Sequence, residues 1–322
     1  VYGTASVRAL GTDTVTVSGT GSSAFADKNV ALNKRVIVSG YTMSGADSGN
    51  YTLVQPAGLS ANISQAKLSI SGIAAANKTY DGVATAKLTG TAVVNAIGSD
   101  AGSVTLNGVA SAVFNDKNVA TDKTVTVAGY SLSGANSDNY LLVQPTGLSA
   151  NVSQASLNIF GLVALDKVYD TNRVVALGGT ASVGAIGSDK VTVSGTGSAL
   201  FDDKNAAANK TVTVDGYYLS GVDSGNYTLS QPTGLSAAIN KAELLVTGVS
   251  AGNKVYDAQL TASLEGTGSV GVLGSDSLFL GGAAVGQFAD KNVASGKQVA
   301  VSGYTLSGTD SANYTLLQPV KL

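Results

Sequence analysis

The sequence predicts an all-β protein: a tandem array of four immunoglobulin-like β-sandwich domains that form an elongated rod. Three observations lead to this fold class. A set of motifs returns four times, short runs alternate apolar and polar residues, and 40 glycines fall largely between those runs. No segment shows a convincing helical period, and glycine between strand-length runs is typical of turns. Small β domains of the β-grasp kind are the alternative at this level.

Two motifs with a common period of 89, 87 and 87 residues define the repeats. The motif Phe-x-Asp-Lys-Asn begins at Phe25, Phe114, Phe201 and Phe288. The pair Asn-Tyr begins at Asn50, Asn139, Asn226 and Asn313. This period is longer than the roughly 20–45 residues of a solenoid coil and matches a small autonomous domain.

The predicted domains are repeat 1 at 1–64, repeat 2 at 65–153, repeat 3 at 154–240 and repeat 4 at 241–322. A Lys-x-Tyr-Asp element occurs in repeats 2, 3 and 4 but not in repeat 1, with its tyrosine at Tyr80, Tyr169 and Tyr256. We therefore expect repeat 1 to lack its opening strands. The alignment of Leu322 with Leu235 likewise predicts that repeat 4 lacks its final strand.

Repeat 2 illustrates the predicted strands, which are rich in Val, Thr and Tyr and alternate with period two. The seven predicted strands are Leu68–Ala75, Lys78–Tyr80, Ala84–Val94, Ser103–Phe114, Lys123–Leu132, Asn139–Gln144 and Leu148–Ser153. The last strand of one repeat leads into the first strand of the next without a Pro- or Ser-rich linker. This continuity predicts limited flexing between neighbouring domains.

The composition excludes several classes of function. The chain has no Cys and no His, so it cannot form disulfides, use thiolate chemistry or use an imidazole proton shuttle. Its net charge is −2 without basic runs, which gives nucleic-acid binding little electrostatic support. The sequence has no run of about 18 apolar residues, so it predicts no membrane span. The composition does not exclude catalysis by a pair of carboxylates, but nothing in the sequence indicates a cleft. We therefore expect that the protein is not an enzyme.

The stretch Ser-Gly-Ala-Asp-Ser-Gly-Asn-Tyr and its copies allow two interpretations. Hard oxygen donors could bind calcium, and the weak candidates are Asp47, Asn50, Asp223, Asn226, Asp310 and Asn313. Repeat 2, however, has Asn136 in place of the aspartate, and no bidentate glutamate follows. The favoured interpretation is a structural corner of the immunoglobulin type, in which a tyrosine hydrogen-bonds back across the turn. The corner candidates are Tyr51, Tyr140, Tyr227 and Tyr314.

The other acidic residues are predicted to stabilise turns. The Asp-Lys-Asn segment at 27–29 and its copies are typical of a turn in which Asp and Asn side chains bind local backbone. The aspartates that follow a tyrosine at a strand end suit the same role, and they are Asp81, Asp170 and Asp257.

Three spaced motifs per repeat resemble the YDG domain. They are NKTYDG at 77–82, FNDKNVATDKTVTVAGYSLSGANSDNY at 114–140, and QPTGLSA. The resemblance covers essentially the whole chain, although Thr171 and Ala258 stand where repeat 2 has Gly82. It implies the repeat region of a large secreted bacterial adhesin of the filamentous-haemagglutinin-like or two-partner-secreted kind. It also implies an extracellular or cell-surface location and a role in adhesion or biofilm matrix, and it brings no catalytic residues. Apart from the calcium considered above, we expect no cofactor.

The leading functional expectation is a stalk that extends an adhesive tip, with the rest of a larger adhesin chain as its partner. Four modules of roughly 30–40 Å would reach on the order of 120–160 Å. Two alternatives stay open at this stage. The repeats could bind a host or matrix glycan through avidity, or they could self-assemble head to tail through exposed sheet edges.

Overall fold

The computed structural model describes residues 2–320 and 322 and confirms the all-β class. It consists of short β-strands, turns and single-turn 3-10 helices, and its four repeating units each contain sheets that curl into half-barrels. The chain forms two compact units, Val1–Ser153 and Gln154–Leu322. The first unit holds the predicted repeats 1 and 2, and the second holds repeats 3 and 4.

The strands of the first unit are β1 (Thr16–Ser18), β2 (Ser22–Phe25), β3 (Ala31–Ser39), β4 (Thr42–Ser44), β5 (Ser60–Ile63), β6 (Ala66–Ser69), β7 (Ser71–Ala75), β8 (Lys78–Thr79), β9 (Leu88–Val93), β10 (Thr105–Asn107), β11 (Ser111–Phe114), β12 (Ala120–Ala128), β13 (Ser131–Ser133), β14 (Tyr140–Val143) and β15 (Leu148–Ser153). Its 3-10 helices are Ser48–Asn50, Gly98–Asp100 and Ser137–Asn139.

The strands of the second unit are β16 (Ala155–Asn158), β17 (Phe160–Ala164), β18 (Lys167–Val168), β19 (Leu177–Ser182), β20 (Thr192–Ser194), β21 (Ser198–Phe201), β22 (Ala207–Asp215), β23 (Tyr218–Ser220), β24 (Tyr227–Ser230), β25 (Leu235–Asn240), β26 (Ala242–Leu245), β27 (Thr247–Ala251), β28 (Thr261–Ala262), β29 (Leu264–Ser269), β30 (Phe279–Gly281), β31 (Val285–Phe288), β32 (Val299–Ser302), β33 (Thr305–Ser307) and β34 (Tyr314–Leu317). Its 3-10 helices are Ser224–Asn226 and Ser311–Asn313. Among the residues that the structure describes, no helix has the length and hydropathy needed to cross a membrane.

The strand order is the same in repeats 2 and 3. The largest sheet runs β11-β12-β15-β8 in repeat 2 and β21-β22-β25-β18 in repeat 3. The first three strands of each sheet are antiparallel, and the short fourth strand is parallel to its neighbour. Each of β6, β16 and β26 pairs in parallel with the strand that begins at the Asn-Tyr tyrosine, which is β14, β24 or β34. Immunoglobulin sandwiches consist of antiparallel sheets, so the finer prediction of such a sandwich is not confirmed.

Alternation along β12 and β22 places one face of each strand in the core. In β12 the side chains of Lys123, Val125 and Val127 are buried, whereas the threonines between them are exposed. The same pattern occurs in β22, where Val212 and Val214 are buried. Each buried valine contributes about 1.5–3 kcal/mol relative to an exposed one. The predicted strand at 123–132 is therefore confirmed over residues 123–128.

The main core of the second unit crosses the predicted boundary between repeats 3 and 4. Phe201 of repeat 3 is fully buried, and Leu244 and Tyr314 of repeat 4 belong to the same cluster of buried residues. The cluster comprises Tyr169, Val175, Ala199, Phe201, Val212, Val214, Ala237, Ile239, Ala242, Leu244 and Tyr314. Because apolar burial is the dominant favourable term in folding, sharing one core couples the stability of these two repeats.

Glycines divide two of the predicted strands of repeat 2. The predicted strand 103–114 is observed as β10 and β11, and 123–132 is observed as β12 and β13. Gly108 and Gly129 lie at these breaks with φ of +94° and +98°, in the region that side chains with a Cβ rarely adopt. A Cβ on Gly108 would also collide with the carbonyl oxygen of Gly129. The two glycines therefore permit a close backbone approach.

We predict that Gly108→Ala destabilises repeat 2 by about 1–3 kcal/mol, because it adds strain at positive φ and a backbone clash. Hydrogen exchange measured by mass spectrometry on the full chain should show lower protection in β11 and β12. The matched control is Gly102→Ala, since a Cβ at Gly102 would meet no atom within 4 Å and the residue has no positive φ. Equal protection in the two variants would contradict this account.

Candidate functional site at the junctions between repeats

The Phe-x-Asp-Lys-Asn motif forms a turn that its aspartate stabilises. In each repeat an Oδ1 atom of this aspartate accepts the backbone N–H of the asparagine two residues later. The N···O distance is 2.7 Å in repeat 1, 2.7 Å in repeat 2, 2.6 Å in repeat 3 and 2.8 Å in repeat 4. The predicted turn role is confirmed for Asp27, Asp116, Asp203 and Asp290.

A lysine seven residues further on holds the same aspartate from within the repeat. Lys210 is only 6% exposed, and its Nζ lies 2.8 Å from Asp203 Oδ1. In repeat 2, Lys123 Nζ lies 2.7 Å from Asp116 Oδ1. The lysine hydrogen bond and then the backbone N–H lower the pKa of Asp116 and Asp203. The contacts that fix each turn therefore come from its own repeat and do not involve the motif lysine.

The aspartates after the Tyr of the Lys-x-Tyr-Asp element also stabilise turns, as predicted. Each accepts the backbone N–H two residues later, at 3.1 Å, 3.2 Å and 2.9 Å in repeats 2, 3 and 4. Each also forms an ion pair with the lysine three residues earlier. These residues are Asp81, Asp170 and Asp257.

The motif lysine of repeat 3 reaches a buried aspartate of repeat 4. Lys204 Nζ lies 2.7 Å from Asp276 Oδ1 and 3.3 Å from Asp310 Oδ1. The Asp276 side chain is 1% exposed. Its Oδ2 accepts the hydroxyl of Tyr314 at 2.7 Å and the hydroxyl of Tyr169 at 2.6 Å. One carboxylate thus accepts hydrogen bonds from two repeats.

The hydrogen bond between Lys204 and Asp276 stabilises the ionised form of both side chains. Burial raises the pKa of Asp276, but hydrogen bonds from Lys204, Tyr169 and Tyr314 outweigh it and leave the pKa below the usual 3.8. The bond to Asp276 raises the pKa of Lys204 above its ordinary value. Burial and then Asp276 raise the pKa of Tyr314. All of these shifts oppose proton transfer near neutral pH, which suits a structural contact.

Backbone and amide groups complete the contact. Asn313 is 3% exposed, and its Oδ1 accepts the backbone N–H of Ala206 at 2.8 Å. Its Nδ2 donates to Asn205 Oδ1 at 3.3 Å. The rings of Tyr169 and Tyr314 pack edge to face with centroids 5.3 Å apart. We call this arrangement the inter-repeat clasp; its donor side is Tyr169 and residues 204–206, and its acceptor side is Asp276, Asn313 and Tyr314.

The first unit contains the polar contacts of this clasp between repeats 1 and 2, without a counterpart of Tyr169, because repeat 1 lacks the Lys-x-Tyr-Asp element. Lys28 forms an ion pair with Asp100, and that bond lowers the pKa of Asp100. The hydroxyl of Tyr140 donates to Asp100 Oδ2 at 3.1 Å. Asn139 accepts the N–H of Val30 at 2.8 Å and donates to the side chain of Asn29 at 3.1 Å. Equivalent motif positions therefore make equivalent contacts in both units.

The four predicted corner tyrosines all bind the aspartate of a Gly-Ser-Asp or Gly-Thr-Asp turn. The tyrosine hydroxyl donates to Asp13 at 2.7 Å in repeat 1 and to Asp100 at 3.1 Å in repeat 2. It donates to Asp189 at 2.7 Å in repeat 3 and to Asp276 at 2.7 Å in repeat 4. The hydroxyls of Tyr51, Tyr140 and Tyr227 also accept a backbone N–H from Leu10, Ile97 and Ile186. The bonds thus tie each tyrosine to a turn about 40 residues upstream. Their role as sandwich corners stays a prediction.

The calcium candidates have structural partners. Asp47, Asp223 and Asp310 each accept, through Oδ2, the backbone N–H of the residue 33 positions earlier, at 2.9 Å, 2.8 Å and 3.0 Å. Asn313 belongs to the clasp, Asn226 is buried and Asn50 is exposed. Within residues 2–320 and 322, no group of three or more His, Cys, Asp or Glu side chains could hold a metal ion. Calcium binding by these residues stays a prediction.

Two sets of residues have roles that the sequence did not reveal. One is the aspartate of the Gly-Ser-Asp turn, the centre of the clasp. The other is the Gln before each Pro, whose Nε2 donates to the backbone oxygen of the Gly-Tyr tyrosine at 2.7–2.9 Å. Both recur in all four repeats at spacings of 87 or 89 residues, and that regularity is the signal that could have identified them. The glutamines are Gln55, Gln144, Gln231 and Gln318.

Comparison with known families gives one result. The YDG domain model matches residues 2–58, 64–147, 153–234 and 240–321. No curated protein and no solved structure matches the chain.

We predict that Lys204→Ala lowers the opening free energy of the clasp in the second unit by about 1–3 kcal/mol, because a buried carboxylate loses its charged partner. Hydrogen exchange on the full chain should show this loss in the segment that carries Asp276 and in β34. The exposed Lys241→Ala variant is the control and should leave protection there unchanged. Wild-type protection in Lys204→Ala would show that the ion pair does not stabilise the junction.

We predict a pH dependence from the lowered pKa of Asp276. Because the folded pKa lies below the unfolded value, the stabilisation is present above about pH 4 and is lost as the pH falls through the folded pKa. The difference in Tm between the wild type and Asp276→Asn should therefore be largest near neutral pH and narrow on acidification. The exposed Asp215→Asn variant, whose carboxylate lies outside the clasp, is the control. A Tm difference between the wild type and Asp276→Asn that is constant with pH would contradict the assignment.

Proposed function

Because the chain belongs to the YDG domain family, we propose that it is a structural stalk of a bacterial surface adhesin. In this proposal the repeats lie outside the cell, perform no catalysis and hold an adhesive tip away from the surface for attachment to cells or biofilm matrix. The rest of a larger adhesin chain is the partner. The adhesin context comes from the resemblance of the motifs.

The observation that carries the proposal is the inter-repeat clasp. A stalk has to resist bending between its modules, and the covalent linker alone does not prevent bending. Lys204 and Asn313 connect two repeats through hydrogen bonds, and the apolar core around Phe201 is shared by both. The first unit repeats the polar contacts through Lys28 and Asn139. Such coupling supports a spacer in which the two repeats of each unit resist bending against each other.

The chemistry of the acidic residues also supports a structural role. The aspartates of the turns are paired with lysines or backbone N–H groups, and their pKa values are lowered. A general acid at neutral pH needs a raised pKa, so these groups are poorly suited to acid catalysis. They are well suited to fixing turns.

We predict that small-angle X-ray scattering of the full chain gives a maximum dimension on the order of 120–160 Å, the length of four stacked modules. A glycan array or a pull-down with matrix polymers should show no specific binding at millimolar concentration. A compact particle would contradict the stalk. Specific glycan binding would instead favour repeats that act as an avidity-based binding module.

A further inference from the structure

The first and last segments of repeat 3 run side by side in the same direction. β16 pairs in parallel with β24, beginning with Ala155 opposite Tyr227. Further along the same two segments, β18 pairs in parallel with β25. Both pairings have the same offset of 72 residues. Residues 155–168 and 227–240 are therefore two parallel segments in one register, and we call them the terminal pair.

Side chains continue this pairing where the strands are interrupted. Asp166 lies between β17 and β18, and its Oδ1 accepts the backbone N–H of Ala238 at 2.7 Å, with the same offset as the strand pairs. At the start of the segments, Gln154 Nε2 donates to the backbone oxygen atoms of Gly225 and Tyr227 at 3.0 Å and 3.1 Å. The two segments are therefore connected at both ends and at the interruption between them.

Repeat 2 contains the same terminal pair. β6 pairs in parallel with β14, and β8 pairs in parallel with β15, both with an offset of 74 residues. Asn77 takes the place of the aspartate and accepts the backbone N–H of Asn151 at 2.7 Å. Gln65 donates to the backbone oxygen atoms of Asp138 and Tyr140 at 3.0 Å and 3.3 Å. The arrangement therefore belongs to the fold of the repeat and not to one copy.

The two ends of the terminal pair face different neighbours along the chain. At the start of the pair in repeat 2, Tyr140 donates to Asp100, which pairs with Lys28 of repeat 1. At the end of the pair in repeat 3, Tyr169 follows β18 and donates to Asp276 of repeat 4. Tension along the chain therefore enters the pair at one end and leaves it at the other. Such tension pulls the two segments in opposite directions along their strands, so the hydrogen bonds between them are loaded together in shear.

We propose that the terminal pair is a mechanical clamp, through which the repeats bear tension along the chain. A shear load has to break the bonds of the pair together, whereas a peeling load breaks them one after another. Forced unfolding is governed by the unfolding rate, so a contact that must break before the repeat opens sets its resistance. Lys241 alone separates β25 from β26, which leaves no flexible linker to absorb the load between repeats 3 and 4. This function goes beyond spacing, because a spacer needs no resistance to tension.

Single-molecule pulling on the full chain tests the clamp, because the chain has no cysteine and handles can be attached at two introduced ones. Ser156→Cys with Lys241→Cys places the handles at opposite ends of the terminal pair, and Val168→Cys with Lys241→Cys places them at the same end. All three side chains are exposed. The first variant should unfold at a force about twofold or more above that of the second, because only the first loads the bonds together.

A substitution within the clamp provides the second arm. Asp166→Ala, added to the variant with handles at opposite ends, removes one bond of the terminal pair and should lower the unfolding force. Asp215→Ala removes an exposed carboxylate outside the pair and should leave the force unchanged. Hydrogen exchange without load checks that every variant keeps the native fold.

Equal unfolding forces in the two pulling directions would overturn the proposal, as would a force that Asp166→Ala leaves unchanged. Neither result alters the maximum dimension measured by X-ray scattering, so failure of the clamp is distinguishable from failure of the stalk.

Discussion

The buried carboxylate of Asp276 is the constraint on which the arrangement of repeats 3 and 4 depends. A buried charge is costly unless charged and hydrogen-bonding partners surround it. Its partners come from both repeats: Lys204 and Tyr169 from repeat 3, and Tyr314 from its own repeat. Shifting repeat 4 against repeat 3 would separate this carboxylate from Lys204 and Tyr169 and leave it buried without its charged partner. The clasp therefore fixes which surfaces meet, and the shared apolar core adds stabilisation that has no such directional requirement.

In repeats 1 and 3 the two lysines of the motif region have different partners. Lys210 is buried in its strand and fixes the Asp203 turn inside repeat 3, while Lys204 leaves the turn and contacts repeat 4. A turn that is already rigid loses less conformational entropy when it engages its neighbour. In repeat 3 the motif Phe-x-Asp-Lys-Asn thus combines a core aromatic, a turn-stabilising aspartate and an inter-repeat cation within five residues.

The all-β class and the turns could be predicted from the sequence, because their signals are local, whereas the predicted immunoglobulin-like sandwich is not confirmed. Alternation at Lys123–Ala128 and the Asp-x-Asn turn are both decided by residues next to one another, and both predictions are confirmed. The breaks at Gly108 and Gly129 were missed, since a positive φ is set by a backbone crossing and not by the strand pattern. The clasp was missed for a related reason. Lys204 and Asp276 are 72 residues apart in different repeats, and each motif is interpretable as a complete turn on its own.

A double-mutant cycle between Lys204 and Asp276 tests the central claim most directly. Lys204→Met, Asp276→Asn and the double variant would be compared with the wild type in the full chain, with hydrogen-exchange protection of β34 as the measure of opening free energy. If the ion pair joins the repeats, the coupling energy should be about 1–3 kcal/mol, as for contacting charged partners. A coupling energy near zero, with additive single effects, would contradict the account.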